Sequence, residues 1–171
     1  MLAVFADTHG TENPGLAGRA ADALTDAKRV LHAGDFTTMA VYNAFERRAA
    51  ELTAVHGNSD AAPLRNRLPA IQTIEWDGWV LLLVHGHEHT ATSLPLLARE
   101  READLVVTGH THRPAIERFG DLPIVNPGSH ADPRAGPPTH AELRREKGDV
   151  LIELRERAGS VFERRRVSMG G

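Results

Sequence analysis

The sequence contains no cysteine among its 171 residues. This absence excludes disulfides, iron–sulfur clusters and zinc sites with thiolate ligands. Long apolar runs are also missing, since the longest, Trp79 to Val84, is far shorter than the ~20 residues of a membrane-spanning helix. Asp7 comes too early for the apolar segment of a secretory signal peptide. We therefore expect a soluble, cytoplasmic protein that does not associate with membranes.

Neither sign of charge dominates the chain, which has 20 Lys and Arg residues against 23 Asp and Glu residues. The resulting net charge of −3 provides no global positive field, so a nuclease is disfavoured and we do not expect a nucleic-acid partner. The length and the 41% content of hydrophobic residues predict one globular domain over residues 1–171. The ten histidines are the unusual feature of the composition.

Short apolar runs alternate with helical patterns along the chain, which predicts an α/β fold. Asn13 is the expected N-cap of the first helix, with Pro14 at its first position. Asp77-Gly78 predicts a tight hairpin between two strands, Ile71–Trp76 and Trp79–Val84. From Ala115 onward, consecutive short strands predict a second, largely antiparallel sheet.

Polar motifs follow five of the predicted strands. Ligands gather beyond the carboxyl ends of strands in α/β sheets, so these motifs should meet at one edge. In an extended chain, residues i and i+2 point the same way, which would pair Asp7 with His9 and His110 with His112. Carboxylates, an amide oxygen and imidazoles together indicate a site for divalent metals. The motifs are Asp7-Thr8-His9, Gly34-Asp35, Gly57-Asn58-Ser59-Asp60, His85-Gly86-His87-Glu88-His89 and Thr108-Gly109-His110-Thr111-His112.

This ordered set of motifs resembles that of the calcineurin-like metallophosphoesterase superfamily. More narrowly, it is similar to the small, single-domain YfcE-like branch, whose loop Asn-Pro-Gly is also present here at Asn126-Pro-Gly-Ser129. The resemblance extends from Met1 to the C-terminal strands. It implies a four-layer α/β/β/α sandwich with a dinuclear metal site at the carboxyl ends of the strands.

The resemblance also implies a set of ligands for each metal. Two cations ~3.5–4 Å apart can clamp the oxygens of a phosphate ester and generate a hydroxide nucleophile. The implied reaction is therefore in-line attack by a metal-bridging hydroxide. We expect Mn²⁺, with Ni, Fe, Zn or Co as alternatives that the same ligands accept. The implied ligands are Asp7, His9, Asp35 and His112 for one metal, and Asp35, Asn58, His85 and His110 for the other.

One position departs from the wider superfamily, in which many members have a histidine after Gly-Asn that assists the leaving group. Ser59 stands there in this sequence, as the YfcE-like branch often allows, so the identity of the general acid is open. We predict catalytic roles for Asn58 and His87, and substrate contacts for Ser59 and His87. His32 is expected to pack beneath the site. Arg134 could approach a substrate phosphate, but we expect a solvated loop charge.

Several functions are consistent with these motifs. The favoured one is a metal-dependent phosphodiesterase acting on a small phosphoester, and the nearest alternative is a phosphomonoesterase of the same fold. A non-catalytic protein-binding scaffold is a further alternative, but all seven expected ligand positions are filled. A homo-oligomer is compatible with the branch. The sequence specifies neither the natural substrate nor the metal.

Overall fold

Two β-sheets pack face to face, and helices cover the outer face of each. The computed structural model describes residues 1–134 and 136–168. The predicted domain also takes in Ala135 and residues 169–171, which lie outside the described residues. In chain order the elements are β1 (Leu2–Phe5), α1 (Arg19–Asp26), β2 (Arg29–His32), α2 (Met39–Arg48), β3 (Leu52–Ala54), α3 (Ala62–Arg67), β4 (Ile71–Trp76), β5 (Trp79–Val84), α4 (Ser93–Glu100), β6 (Leu105–Val107), β7 (Pro114–Phe119), β8 (Leu122–Pro127), β9 (Thr139–Glu146), β10 (Asp149–Glu156) and β11 (Val161–Val167).

The larger sheet has six strands in the order β11-β10-β9-β1-β2-β3, and the smaller has five in the order β4-β5-β6-β8-β7. β1, β2 and β3 run parallel in the first, and β5, β6 and β8 run parallel in the second. The loops after β1, β2, β3, β5 and β6 carry the predicted ligands. Parallel strands end at a common edge, so the topology brings these loops together as predicted.

Apolar side chains alternate between the two faces of each sheet. On β1, Leu2 and Val4 face the other sheet, whereas Ala3 and Phe5 face α1, α2 and α3. On the outer face of the smaller sheet, Leu82 packs with Leu94 and Ala98 of α4. The order of layers is therefore α/β/β/α, which confirms the predicted four-layer sandwich.

The first helix begins at Arg19 rather than after Asn13, so the predicted N-cap is wrong. The Asn13 side chain instead closes a local turn two residues further on. Next, the Ala17 N–H donates to Nε2 of His130, and the Arg19 N–H donates to the carbonyl of Arg157. Because residues more than a hundred positions away hold this loop, local helix signals do not decide where the helix begins.

The prediction that the C-terminal third forms the second sheet is also wrong. β9, β10 and β11 extend the larger sheet, since β9 pairs antiparallel with β1 and places Ala141 opposite Val4. This register adds the apolar face of β9 to the core between the sheets, where Ala141 and Leu143 are buried. Of the C-terminal strands, β7 and β8 join the smaller sheet, beside β6.

The hairpin of β4 and β5 is confirmed with the predicted bounds. Asp77 and Gly78 both have positive φ angles, 47° and 83°, as a two-residue type I′ turn requires. Among residues 1–134 and 136–168, no helix is long and apolar enough to cross a membrane.

Candidate metal centre

The loops at the sheet edge have an unusual backbone. Five of the seven predicted ligands have φ angles between 45° and 69°, in the left-handed region that non-glycine residues rarely adopt. Each such residue costs ~1–3 kcal/mol and persists where the surrounding structure holds it, typically at a functional site. We expected an extended backbone at Asp7–His9 and His110–His112, and this expectation is therefore wrong. The five residues are Asp7, His9, Asp35, His110 and His112.

One group of potential ligand atoms consists of Asp7, His9 and His112, whose donor atoms lie within 4.8 Å of one another. Nε2 of His112 is 3.2 Å from Nε2 of His9 and 3.6 Å from Oδ1 of Asp7. Nδ1 of His112 donates to the carbonyl of Asp132 at 2.6 Å. This bond fixes the ring, so that Nε2 of the neutral imidazole directs its lone pair at the group.

The second group consists of Asp7, Asp35 and His85. Nδ1 of His85 donates to the buried carbonyl of Ala33 at 2.7 Å, which again leaves Nε2 directed at the carboxylates. Nε2 of His85 is 3.3 Å from Oδ2 of Asp35 and 3.1 Å from Oδ1 of Asn58. The structure thus brings the amide of Asn58 to this group as well.

Asp35 lies between the two groups. Its Oδ2 is 3.4 Å from Nε2 of His9 and 3.3 Å from Nε2 of His85, so one oxygen faces both. The Ser59 N–H donates to the other oxygen, Oδ1, at 2.8 Å and fixes the carboxylate in this orientation. Ligands that each lie ~2.1 Å from a shared cation are separated by roughly 3.0–3.4 Å, and these distances match that spacing.

The donor set fits divalent metal ions. Oδ2 of Asp7 is buried and accepts no hydrogen bond from any described residue. The other oxygen, Oδ1, accepts the backbone N–H of His110 at 3.1 Å. A buried carboxylate oxygen without a donor is costly unless a cation compensates it. The lone pairs of Asp35, Asn58 and His85 also face one another, an arrangement that calls for positive charge at its centre. A mixed set of nitrogen and oxygen ligands accepts Mn, Fe, Co, Ni or Zn.

The same demand for positive charge sets the pKa values of these groups in the absence of a metal, where a proton on Nε2 of His85 takes the place of the cation. Burial raises the pKa of Asp7 to about 7, and the neighbouring Asp35 carboxylate adds to the rise. Burial also pushes the pKa of Asp35 upward, but the hydrogen bond and charge of His85 outweigh it and hold that pKa below its usual value. Although burial favours a neutral His85, the hydrogen bond and charge of Asp35, together with the charge of Asp7, raise the pKa of its ring.

His32 supports the site from below, which confirms the predicted role. Its Nδ1 accepts the N–H of Gly34 at 3.2 Å, so Nε2 carries the proton and donates to the Thr8 hydroxyl at 2.8 Å. The ring stacks on Phe36 with centroids 3.6 Å apart. Burial lowers the pKa of His32 well below its usual value, so the ring is neutral and serves to join the loops after β1 and β2.

The remaining predicted site residues lie at the rim. Asn58, Ser59 and His110 are exposed, and the His110 ring centroid is 5.3 Å from that of His85. His110 belongs to neither group of ligand atoms among the described residues, so its role as a ligand stays a prediction. The His87 ring lies 5.3 Å from that of His85, and its Nδ1 is buried without a described partner.

Sequence reasoning missed the roles of Asp60 and Arg113, which build or border the site. Asp60 is buried and accepts three backbone N–H groups, although only its place in the motif hinted at a role. Arg113 and Arg134 line a cavity of about 410 Å³ together with His110 and Thr111. Arg134 is exposed as expected, but it borders the site, and only the position of Arg113 directly after His112 could have signalled this.

Most of the chain matches one known protein family. Residues 1–148 match the model of the calcineurin-like phosphoesterase superfamily domain. A protein named "Probable metallophosphoesterase" from Methanothermobacter thermautotrophicus is 31% identical over 148 residues, which are 84% of this chain and 85% of the relative. Phosphodiesterase YfcE of Escherichia coli is 35% identical over 95 residues, which are 53% of this chain and 50% of the YfcE chain.

Solved structures share the fold. Vps29 from Chaetomium thermophilum superposes with a TM-score of 0.82 at 16% identity, covering 99% of this chain and 98% of its own. The phosphoesterase YfcE from E. coli gives a TM-score of 0.68 at 21% identity, with 99% of each chain covered. At these identities the structures support the two-sheet α/β architecture and nothing finer.

Proposed function

The chain belongs to the calcineurin-like phosphoesterase superfamily, and from this membership we propose that it is a metal-dependent phosphodiesterase with two cations per chain. The proposal assigns one cation to Asp7, His9, Asp35 and His112. It assigns the other to Asp35, Asn58, His85 and His110. Mn²⁺ is the proposed metal and the cytoplasm the proposed location.

The observation that carries the proposal is the position of Asp35. One of its oxygens faces His9 and His85 at 3.4 and 3.3 Å, as expected for a carboxylate shared by two adjacent cations. Asp7 belongs to both groups of ligand atoms, with its Oδ1 3.6 Å from Nε2 of His112 and 4.0 Å from Nε2 of His85. A shared carboxylate reduces the repulsion between two cations that lie close together.

The residues of the chain hold the ligands and receive the substrate. Backbone carbonyls orient His85 and His112, and the Ser59 N–H orients Asp35, so the ligands are positioned before a metal arrives. Divalent ions held there would supply an activated water and positive charge for the phosphate oxygens. The guanidinium groups of Arg113 and Arg134 flank the rim and attract an anionic ester.

A substrate panel tests the proposed activity. Metal-free protein is reconstituted with Mn²⁺ and assayed with bis(p-nitrophenyl) phosphate as the diester and p-nitrophenyl phosphate as the monoester. We expect a higher kcat/KM for the diester. A clear preference for the monoester would instead establish the alternative, a phosphomonoesterase of the same fold. The substitution Asp77→Asn, in the distant β4–β5 turn, is the control for handling, because Asn suits that turn equally well.

The scaffold alternative makes the opposite prediction for the same panel. The fold likeness to Vps29 is compatible with it, but the presence of all seven candidate ligands in the sequence favours catalysis. A non-catalytic scaffold would show no turnover of either ester after saturation with Mn²⁺, Zn²⁺, Ni²⁺, Co²⁺ or Fe²⁺. Turnover that disappears in Asp35→Ala would exclude it.

A further inference from the structure

A cavity of about 420 Å³ opens beside the candidate metal centre. It lies on the outer side of the smaller sheet, between the segment from Gly86 to Leu94 and the β7–β8 hairpin, which contributes Ala115 and Ile124. His110 forms part of its wall and also borders the Arg113–Arg134 cavity, so the space is continuous with the rim of the site. Its volume falls within the range of roughly 300–1,000 Å³ that is typical of small-molecule sites.

The lining of this cavity changes in character with distance from the metal centre. Near the centre it is polar, with His110 and the Thr108 hydroxyl. Further away, Leu94 and Ile124 provide an apolar floor, and Phe119, with 54% of its surface exposed, lies at the far end beside the charged Glu117 and Arg118. An organic group with apolar faces would gain by covering this surface, whereas a phosphate would be held at the polar end.

We propose that this cavity binds an aromatic or heterocyclic group that is ester-linked to the substrate phosphate. The inference rests on the proposed function and narrows it, because it selects phosphoesters that carry such a group over small alkyl esters. His110 stands where the two parts of the substrate would meet. The cavity is then a determinant of specificity that borders the proposed metal ligands at His110.

The first test compares two diesters that release the same leaving group. Bis(p-nitrophenyl) phosphate keeps an aryl group on phosphorus and methyl p-nitrophenyl phosphate keeps a methyl group. The variant Ala115→Ile narrows the cavity from β7, and Thr73→Ile places the same side chain on the exposed face of β4 as a control. For each protein, the kcat/KM of the aryl diester is divided by that of the methyl diester. Because the intrinsic reactivities of the two esters are the same for every protein, they cancel when this ratio is compared between a variant and the wild type. We expect Ala115→Ile to lower the ratio by about fivefold or more, and Thr73→Ile to leave it unchanged.

The second test measures binding without turnover. Calorimetric titration of the Mn²⁺-loaded protein with phenylphosphonate and methylphosphonate reports the contribution of the aryl group directly. We expect about tenfold tighter binding of phenylphosphonate in the wild type, and a smaller preference in Ala115→Ile. The second variant, Ala91→Leu, also narrows the cavity. Because Ala91 is at an exposed loop position, this change does not disturb the folding of β7.

The outcomes separate this inference from the proposed activity. Hydrolysis of both diesters with a ratio that neither Ala115→Ile nor Ala91→Leu alters would overturn the subsite and leave the phosphodiesterase standing. A phenylphosphonate preference that these variants reduce, without hydrolysis of either diester, would support the subsite and overturn the activity. Equal binding of the two phosphonates by the wild type would overturn the subsite whatever the activity.

Discussion

The carboxylate of Asp60 accepts a hydrogen bond from the backbone N–H of Asp35 at 3.0 Å. The same oxygen accepts the N–H of Gly57 at 2.8 Å, and the other accepts the N–H of Thr37 at 2.7 Å. Asp60 therefore ties the loop after β3 to the loop after β2, where Asp35 has a left-handed backbone. We infer that this buried carboxylate positions Asp35 and takes no direct part in metal binding.

Replacement of Asp60 by Asn tests this arrangement. An amide has one acceptor oxygen and directs a donor at the remaining backbone N–H groups, so at least one buried donor loses its partner at a cost of about 1–3 kcal/mol. We expect Asp60→Asn to lower the free energy of unfolding by that amount and to weaken metal retention. Denaturant titration of the metal-free protein and metal analysis after dialysis measure the two effects. Asp77→Asn is the matched control, and equal behaviour of the two variants would contradict the role.

Removal of metal should abolish turnover. The contact between the Thr8 hydroxyl and His32 is buried and has the imidazole as donor, so it does not form a nucleophile–base pair. Asp7, Asp35 and His85 face one another at the centre of the site. We therefore expect chelation to eliminate hydrolysis of bis(p-nitrophenyl) phosphate and Mn²⁺ to restore it. The measurement is activity against bound metal per chain. Undiminished turnover in protein shown to be metal-free would refute the two-metal mechanism.

The variants Asp35→Ala and Asp7→Ala should differ in their metal content. The proposed function makes Asp35 a ligand of both cations, so Asp35→Ala should remove a ligand from each, while Asp7→Ala should mainly weaken one. The two variants are not trivially different, because Asp7 belongs to both groups of ligand atoms. Metal content per chain should fall further in Asp35→Ala. If both variants retained the same amount, the assignment of the shared carboxylate would be wrong.

Local chemistry explains which parts of the fold were predictable. The turn at Asp77-Gly78 requires two residues with positive φ, and this dipeptide supplies both, so its hairpin follows from sequence. The ligand motifs come directly after strands whose apolar pattern is clear, so the position of the site also follows. Both signals act over a few residues and need no knowledge of the rest of the chain.

Long-range contacts explain what the sequence did not predict. The start of α1 depends on the hydrogen bond from the Arg19 N–H to Arg157, and the partners of β9 depend on the free edge of β1. Asp60 has no pattern of its own, because two of its three donors, the N–H groups of Asp35 and Thr37, come from the loop after β2. In each case at least one partner lies far along the chain, and periodicity or spacing carries no information about it.

Acid should destabilise the protein partly through Glu142. This buried carboxylate contacts Nε of Arg19 at 2.6 Å, Nε2 of His140 at 3.2 Å and a guanidinium nitrogen of Arg144. Burial favours the protonated acid, but the hydrogen bonds from His140 and Arg19 outweigh it and lower the pKa of Glu142 to about 2 from 4.5. Because the folded pKa is depressed, the stabilisation is complete above about pH 5 and is lost as the pH falls toward 2. It amounts to ~3 kcal/mol.

The Glu142 contribution can be isolated with a side chain that does not titrate. Glu142→Gln should reduce the slope of unfolding free energy against pH between about pH 5 and pH 3, whatever its effect on absolute stability. Glu75→Gln, which removes an exposed carboxylate on β4, is the control and should leave that slope unchanged. Urea titrations at a series of pH values provide the measurement. A slope in Glu142→Gln equal to that of the wild type would show that the ion pairs do not depress this pKa.

Ser59 bears on how the leaving group departs. A serine hydroxyl is a poor proton donor at neutral pH, and Ser59 is exposed at the rim, where its oxygen lies 3.3 Å from the Asn58 amide nitrogen. The neighbouring Asp60 is poorly placed to orient an imidazole at position 59, because it is buried and three backbone N–H groups take most of its acceptor sites. His87 is the other predicted contact, and its ring lies beside that of His85.

We expect the rate to depend steeply on the basicity of the leaving group. General acid catalysis typically contributes ~10²–10⁴-fold, and its loss is greatest for basic alkoxides, so activated aryl diesters should be cleaved well and alkyl esters poorly. The measurement is kcat/KM against leaving-group pKa for the wild type, Ser59→His and His87→Ala. Ser59→His should flatten the slope only if its imidazole reaches the departing oxygen without help from Asp60. A wild-type slope near zero, with chemistry rate-limiting, would reveal an acid on the enzyme, and steepening in His87→Ala alone would identify that acid as His87.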